Sequence, residues 1–145
     1  MNSPASSSSP ERPPGVLFLC VHNAGRSQMA LGWLDHLGQD KVIGWSGGSE
    51  PASSVNPVAI EAMAEVGIDI SSGSPKRWTD EMLHAADLVV TMGCGDTCPV
   101  IPGKRYEDWD VADPAQKPLE DVRPIRDDIE RRVRDLLGRL GIEGP

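Results

Sequence analysis

Residues 17–30 read LFLCVHNAGRSQMA: an apolar run that ends in a cysteine, a short polar turn, and then an arginine. With Val16 the run VLFLCV (16–21) has no polar face, as expected of a strand buried on both sides. Beyond the turn HNAG, residues Met29, Ala30, Trp33, Leu34 and Leu37 fall on one side of a helix that Gly38 can stop. A strand, a tight turn and a helix form the repeating unit of parallel sheets. The rest of the chain continues the alternation. KVIGWS (41–46) reads as a second strand, and Asn56 followed by Pro57 caps a helix through VAIEAMAEVG, ended by Gly67. Thr79, Asp80 and Glu81 open a short helix, DLVVTM (87–92) is a third strand, and KRYEDW (104–109) is a fourth. A last helix carries Ile125, Ile129, Val133, Leu136, Leu137 and Leu140 at helical spacing, with Asp127 and Asp128 early and arginines late, in accord with the helix macrodipole. The expected fold class is therefore α/β, a four-stranded parallel sheet with helices on both faces and right-handed crossovers.

A chain of 145 residues, 39% of them apolar, is enough for one core and too short for two ordinary domains. The opening MNSPASSSSPERPP (1–14) holds little that could be buried, so it is expected as a disordered tail ahead of a single domain over 15–145. That opening has neither a basic start nor a hydrophobic stretch, and no apolar run in the chain is long enough to span a bilayer. A cytoplasmic protein away from membranes is expected. The net charge of −8 argues against nucleic-acid binding, which needs clustered Lys and Arg against phosphates. Cys20, Cys94 and Cys98 are an odd number and too few to staple a secreted scaffold, which turns attention to thiol chemistry. In a parallel sheet ligands sit beyond the carboxyl ends of the strands, where all three cysteines fall.

The turn after Cys20 is suited to an anion. Gly25 frees the loop Val21, His22, Asn23, Ala24, Gly25 to turn backbone amides inward as a cradle, and the helix start adds partial positive charge. Arg26 supplies a planar fork that matches two oxygens of a tetrahedral oxyanion. The same field favours the thiolate form of Cys20, making it the candidate nucleophile; Ser27 is placed to hydrogen-bond its sulfur and Asn23 to brace the loop. The lysine of a nucleotide-binding P-loop is absent, and no dinucleotide glycine pattern follows the strand, so no cofactor is implied. His22 is expected in a loop-shaping or exposed role, and His36 and His84 as ordinary helix residues. A proton donor is expected from the acidic loop EDWDVADPAQ (107–116), where Pro114 holds Asp113 extended; Glu107, Asp108 and Asp110 represent the alternative of a merely solvated loop.

Cys20 to Ser27, followed much later by an Asp-Pro pair, resembles the low-molecular-weight protein tyrosine phosphatase family, specifically its arsenate reductase branch. SGGSEPASSVNPVAIEAMAEVGIDIS (46–71) is similar to the second strand and helix of those reductases, and TMGCGDTCP (91–99) to their redox segment. The resemblance implies that Cys20 attacks the oxyanion, Arg26 binds it and Asp113 is the general acid. Where the phosphatases commonly place a tyrosine beside that aspartate, this chain has Ala115, and its one tyrosine is Tyr106. A phosphotyrosine peptide would be poorly held.

Cys94 and Cys98 separate the branches, because hydrolysis of a phosphocysteine needs no further thiol, whereas reducing arsenate needs two electrons. The resemblance implies that Cys94 attacks Cys20 and that Cys98 then attacks the Cys20–Cys94 disulfide. If 94–98 begins as a helical turn, its four-residue rise of about 6 Å is near the separation a Cys94–Cys98 disulfide allows. The two later cysteines lie closer together than in the better-known thioredoxin-linked members. Thioredoxin is the expected reductant, with a low-molecular-weight thiol such as mycothiol and a glutaredoxin-like protein as the alternative. The competing functions are a low-molecular-weight phosphatase acting on small phosphoesters or phosphotyrosine, and a non-catalytic oxyanion- or metal-binding module. A zinc site from Cys94, Cys98 and a histidine lacks a fourth ligand.

Overall fold

The computed structural model describes residues 13–93 and 102–142. Strands β1 (Gly15–Cys20), β2 (Ile43–Gly48), β3 (Leu88–Thr91) and β4 (Arg105–Asp108) form one sheet in the order β2-β1-β3-β4, with every pairing parallel. Among the described residues four α-helices connect and follow them: α1 (Arg26–Gly38), α2 (Pro57–Ala64), α3 (Asp80–Ala85) and α4 (Leu119–Arg139). All six residues of β1 are buried, which is why its sequence is apolar without alternation.

The two faces of β1 feed two apolar clusters. Val16, Phe18 and Cys20 pack into the larger one, with Met29, Trp33, Leu34 and Leu37 of α1, Ala59 and Met63 of α2, and Val122, Ile129, Val133 and Leu137 of α4. Leu17 and Leu19 face the smaller one, with Val89 and Leu83 of α3. The apolar stripes read from α1 and α4 are thus the buried ones. Phe18 is fully buried and its ring meets that of Trp109 at 5.7 Å between centroids, so truncating it to alanine would cost about 3–5 kcal/mol.

Several expected boundaries shift, each for a physical reason. The second strand starts two residues later than the sequence suggests, after a 3-10 turn at Gln39–Lys41, and runs on through Gly47 and Gly48. Glycine is a poor strand former, but a Cβ at Gly47 would lie 2.9 Å from the Cα of Trp78 and one at Gly48 would lie 2.6 Å from the carbonyl oxygen of Val21. The backbone left-handed turn after α1 is taken by Gln39 (φ 51°), one residue beyond the expected stop at Gly38. Helix α4 begins at Leu119, ahead of Pro124; that proline is exposed, so the carbonyl it leaves unbonded one turn earlier can face water. Of the expected tail, residues 1–12 lie outside the described residues, while the carbonyl of Pro14 already accepts from the Ile43 amide at 2.9 Å. Among the described residues no helix is long and apolar enough to cross a membrane.

Candidate active site

Strand order reverses around β1, with β2 on one side and β3 on the other, so the crevice beyond the carboxyl ends of β1 and β3 is where a ligand belongs in an open parallel sheet. Cys20 ends β1 there, and residues 21–25 form the turn into α1. What shapes the turn is the fate of its carbonyls. Val21 O accepts from the Glu50 amide (2.8 Å), His22 O from the Ala52 amide (3.0 Å) and Ala24 O from the Asn56 amide (2.8 Å). Asn23 O accepts from Gln28 Nε2 (3.1 Å), and Gly25 O from the Met29 amide inside α1 (2.9 Å). Among the described residues no peptide bond is cis, and in a trans peptide the next N–H points opposite to the carbonyl. With each of these carbonyls held by the surrounding protein, the N–H groups of residues 22–26 turn the other way, into the bowl of the loop. Such a ring of amides at a helix N-terminus can hold an anion.

The left-handed residue in the turn is Asn23 (φ 52°), not Gly25, whose φ is −132°. Asn23 is fully buried and stays in that conformation because its side chain is tied at both ends. Its Oδ1 accepts from the Lys76 amide (3.0 Å) and Gln28 Nε2 (3.3 Å), and its Nδ2 donates to Ser27 Oγ (2.6 Å). Gly25 is required for a different reason. A Cβ there would stand 2.6 Å from Cγ of Pro114, so the glycine is where the acidic loop lies down on the anion loop.

Cys20 is 3% exposed, with Sγ 2.9 Å from Ser27 Oγ. The amide of Asn23 can only donate, so it occupies a lone pair of Ser27 and leaves the hydroxyl hydrogen for the sulfur. The sulfur thus has a hydroxyl donor aimed at it, at the mouth of the loop that leads into α1. His22 lies on the outer rim, its Nδ1 donating to Glu50 O at 3.0 Å, which is the loop-shaping position expected of it.

Arg26 and Asp113 come together from opposite ends of the sequence. Arg26 Nη2 lies 3.6 Å from Asp113 Oδ2, with the arginine side chain 12% exposed and the aspartate 50%. Arg26 Nη1 also donates to Val111 O at 3.3 Å. Asp113 Oδ1 accepts from the Ala115 amide at 3.0 Å, a local turn that fixes which carboxyl oxygen faces the arginine. The other acids of the loop are engaged elsewhere. Glu107 binds Arg139 and Trp109 Nε1, and Asp108 Oδ1 accepts from Thr91 Oγ1 at 2.7 Å; Asp110 is held by its backbone carbonyl, which accepts from Arg132, with its carboxyl exposed. Arg139, more than any other contact, holds the Glu107 carboxyl below its ordinary range.

A model of the low molecular weight phosphotyrosine protein phosphatase family matches residues 15–144. The chain belongs to the low molecular weight phosphotyrosine protein phosphatase family. Within that family its similarity is uneven. It is 42% identical over 128 residues to arsenate reductase 2 of Staphylococcus epidermidis, covering 86% of this chain and 96% of that one. A thioredoxin-dependent arsenate reductase of Corynebacterium glutamicum superposes with a TM-score of 0.79 at 41% identity, over 92% of this chain and 65% of that one, so this chain spans about two-thirds of that protein's length. A low molecular weight protein tyrosine phosphatase from T. tengcongensis shares the fold as well (TM-score 0.77, over 87% of this chain and 99% of that one), but only 28% of the residues.

In this member of the phosphatase family, then, Cys20 and Asn23 both meet Ser27, Arg26 meets Asp113, and Pro114 lies on Gly25 between the two groups. Cys94 and Cys98 lie outside the described residues. The residue bonded to Cys94 does not: Gly93, in the left-handed region at φ 80°, sits so close to Arg26 that a Cβ on it would be 2.5 Å from Nη1. Sequence reasoning missed the segment 50–56, whose amides hold the loop carbonyls, because backbone donors leave no residue signature. It also missed Gln28, whose side chain turns back from α1 onto Asn23. A polar residue next to Ser27 on a buried helix face was the available clue.

Proposed function

We propose that this chain reduces arsenate to arsenite, with its own cysteines as the immediate electron source and a protein dithiol of the thioredoxin type as the terminal reductant. The observation that favours reduction over hydrolysis is the close approach of Gly93, the residue that precedes Cys94 in the sequence, to Arg26. The similarity to proteins named arsenate reductases, at 41–42% identity against 28% for the phosphatase, supports the same choice.

Arsenate enters the bowl on the amides of residues 22–26, and Arg26 takes two of its oxygens. The Cys20 thiolate attacks arsenic; an As–S bond forms, an As–O bond breaks, and Asp113 gives the departing oxygen its proton so that it leaves as water. The Cys94 thiolate then attacks Cys20 sulfur. As the S–S bond forms, the S–As electron pair passes to arsenic, which leaves as arsenite in the +3 state. Cys98 attacks Cys94, frees Cys20 and leaves a Cys94–Cys98 disulfide, which the external dithiol reduces by exchange. Such chemistry belongs in a reducing compartment, consistent with a cytoplasmic location.

The test is consumption of NADPH in the presence of thioredoxin and thioredoxin reductase, started by arsenate, set against hydrolysis of a chromogenic aryl phosphate. Arsenate-dependent turnover well above any phosphate release supports the proposal. Phosphate release without arsenate-dependent oxidation of NADPH, with either thioredoxin or a mycothiol and glutaredoxin-like system, overturns it.

A further inference from the structure

Three parts of the fold meet at one residue outside the reacting groups. Asn56 caps α2, its Oδ1 accepting from the amides of Val58 (2.9 Å) and Ala59 (3.4 Å). Its own amide donates to Ala24 O in the anion loop at 2.8 Å. Its Nδ2 reaches across to the carbonyl of Pro114 at 3.4 Å, and Pro114 is the residue that lies on Gly25 and follows Asp113. One partly buried residue thus joins the anion loop, through its backbone amide, to the loop that carries the acid, through its side chain, and it does so from the end of a helix anchored in the core.

We infer that Asn56 is a positioning residue that sets where the Asp113 carboxyl stands over the anion loop. The inference rests on the reading of Asp113 as proton donor. The geometry divides the asparagine into two functions. The oxygen serves the helix, and any good cap can replace it; the nitrogen serves the acid loop, and only an amide of this length supplies it. At 3.4 Å the contact with Pro114 is long for a hydrogen bond, so its contribution is to location more than to stability. Misplacing a proton donor by a fraction of an ångström lowers the chemical step while leaving the anion site itself intact.

Two substitutions separate the functions. Asn56→Asp keeps the capping oxygen and adds charge favourable to a helix start, but it sets a carboxylate against the Pro114 carbonyl. Asn56→Ser also caps and is neutral, but is too short to reach Pro114. For both, the expected result is a melting temperature close to that of the parent, a KM for arsenate within about twofold, and a kcat lower by about tenfold. In an Asp113→Asn background either substitution should change kcat by less than about twofold, since a residue acting through Asp113 has nothing left to position. Full-speed Asn56 variants beside a slow Asp113→Asn enzyme would overturn the role of Asn56 alone, and so would losses that multiply in the double variant. An Asp113→Asn enzyme at full speed would retire the proton-donor reading and this inference with it.

Discussion

The ring of Pro114 rests on the bare Cα of Gly25, closer than any side chain at that position would permit. The contact joins residues 89 positions apart in the sequence (114 − 25) and holds the Asp113 loop on the anion loop. Gly25→Ala should therefore lift the Asp113 loop, because a Cβ 2.6 Å from Pro114 Cγ cannot be accommodated without movement. A loss of about 10²-fold in kcat is expected, at the lower end of what a positioned acid contributes, with the fold retained. Steady-state kinetics alongside circular dichroism checks this; an alanine enzyme of normal kcat would show that the contact does not position the acid.

The sulfur of Cys20 receives the hydroxyl of Ser27, which Asn23 orients. Cys20→Ser should abolish arsenate reduction without unfolding the protein. Ser27→Ala should slow alkylation of Cys20 by iodoacetamide, since it removes the donor that faces the sulfur. Arsenate or phosphate should protect Cys20 in the parent. Equal alkylation rates with and without Ser27 would remove the hydroxyl from the account.

The elements that carry large apolar faces were legible in the sequence, since β1 and α1 could bury VLFLCV and the Met29, Trp33, Leu37 stripe in only one way. The placing of Arg26 at the start of α1, directly after the turn that follows Cys20, was also legible. What was hidden depends on partners far along the chain. Gly47 and Gly48 enter a strand because Trp78 and Val21 approach them, and Asn23 holds a left-handed backbone because Lys76 and Gln28 reach its side chain. Pro114 had already set Asp113 apart from Asp108, but the hold of Thr91 on Asp108 and the approach of Asp113 to Arg26 join residues too distant in the chain to be read from it.

Acid should expose one further feature of the frame. Glu65, the C-terminal cap of α2, accepts from Arg123 and from the buried Arg126, both on α4. The hydrogen bond from Arg123 first, and that from Arg126 next, lower its carboxyl from 4.5 to about 2. A carboxyl held lower in the folded chain than in the unfolded one adds stability that is fully present above the unfolded value and lost as pH falls through the folded one. The α2–α4 clamp should thus weaken between about pH 4.5 and pH 2. Glu65→Gln should be less stable than the parent at pH 7 and should show a shallower fall across that window, as urea midpoints measured at several pH values would reveal. Parallel pH profiles for the two proteins would mean that other carboxylates govern the acid transition.

The order of the thiols is open to direct test, because each cysteine substitution should stop the relay at a different covalent species. If Cys94 attacks Cys20 and Cys98 then attacks Cys94, Cys98→Ser should reduce about one arsenate per protein and stall with a Cys20–Cys94 disulfide. Cys94→Ser should stop earlier, with arsenic still on Cys20 and no arsenite released. The parent, given arsenate without reductant, should accumulate Cys94–Cys98, the pair separated by only three residues and the one an external dithiol must reach. Peptide mapping by mass spectrometry under non-reducing conditions distinguishes the three species. The Gly93–Arg26 contact adds a constraint: Gly93→Ala meets both the left-handed backbone and the guanidinium, so it should raise KM through Arg26 and slow the first disulfide together. Sustained turnover by Cys98→Ser with thioredoxin would eliminate the three-thiol relay and transfer the last exchange to an external thiol.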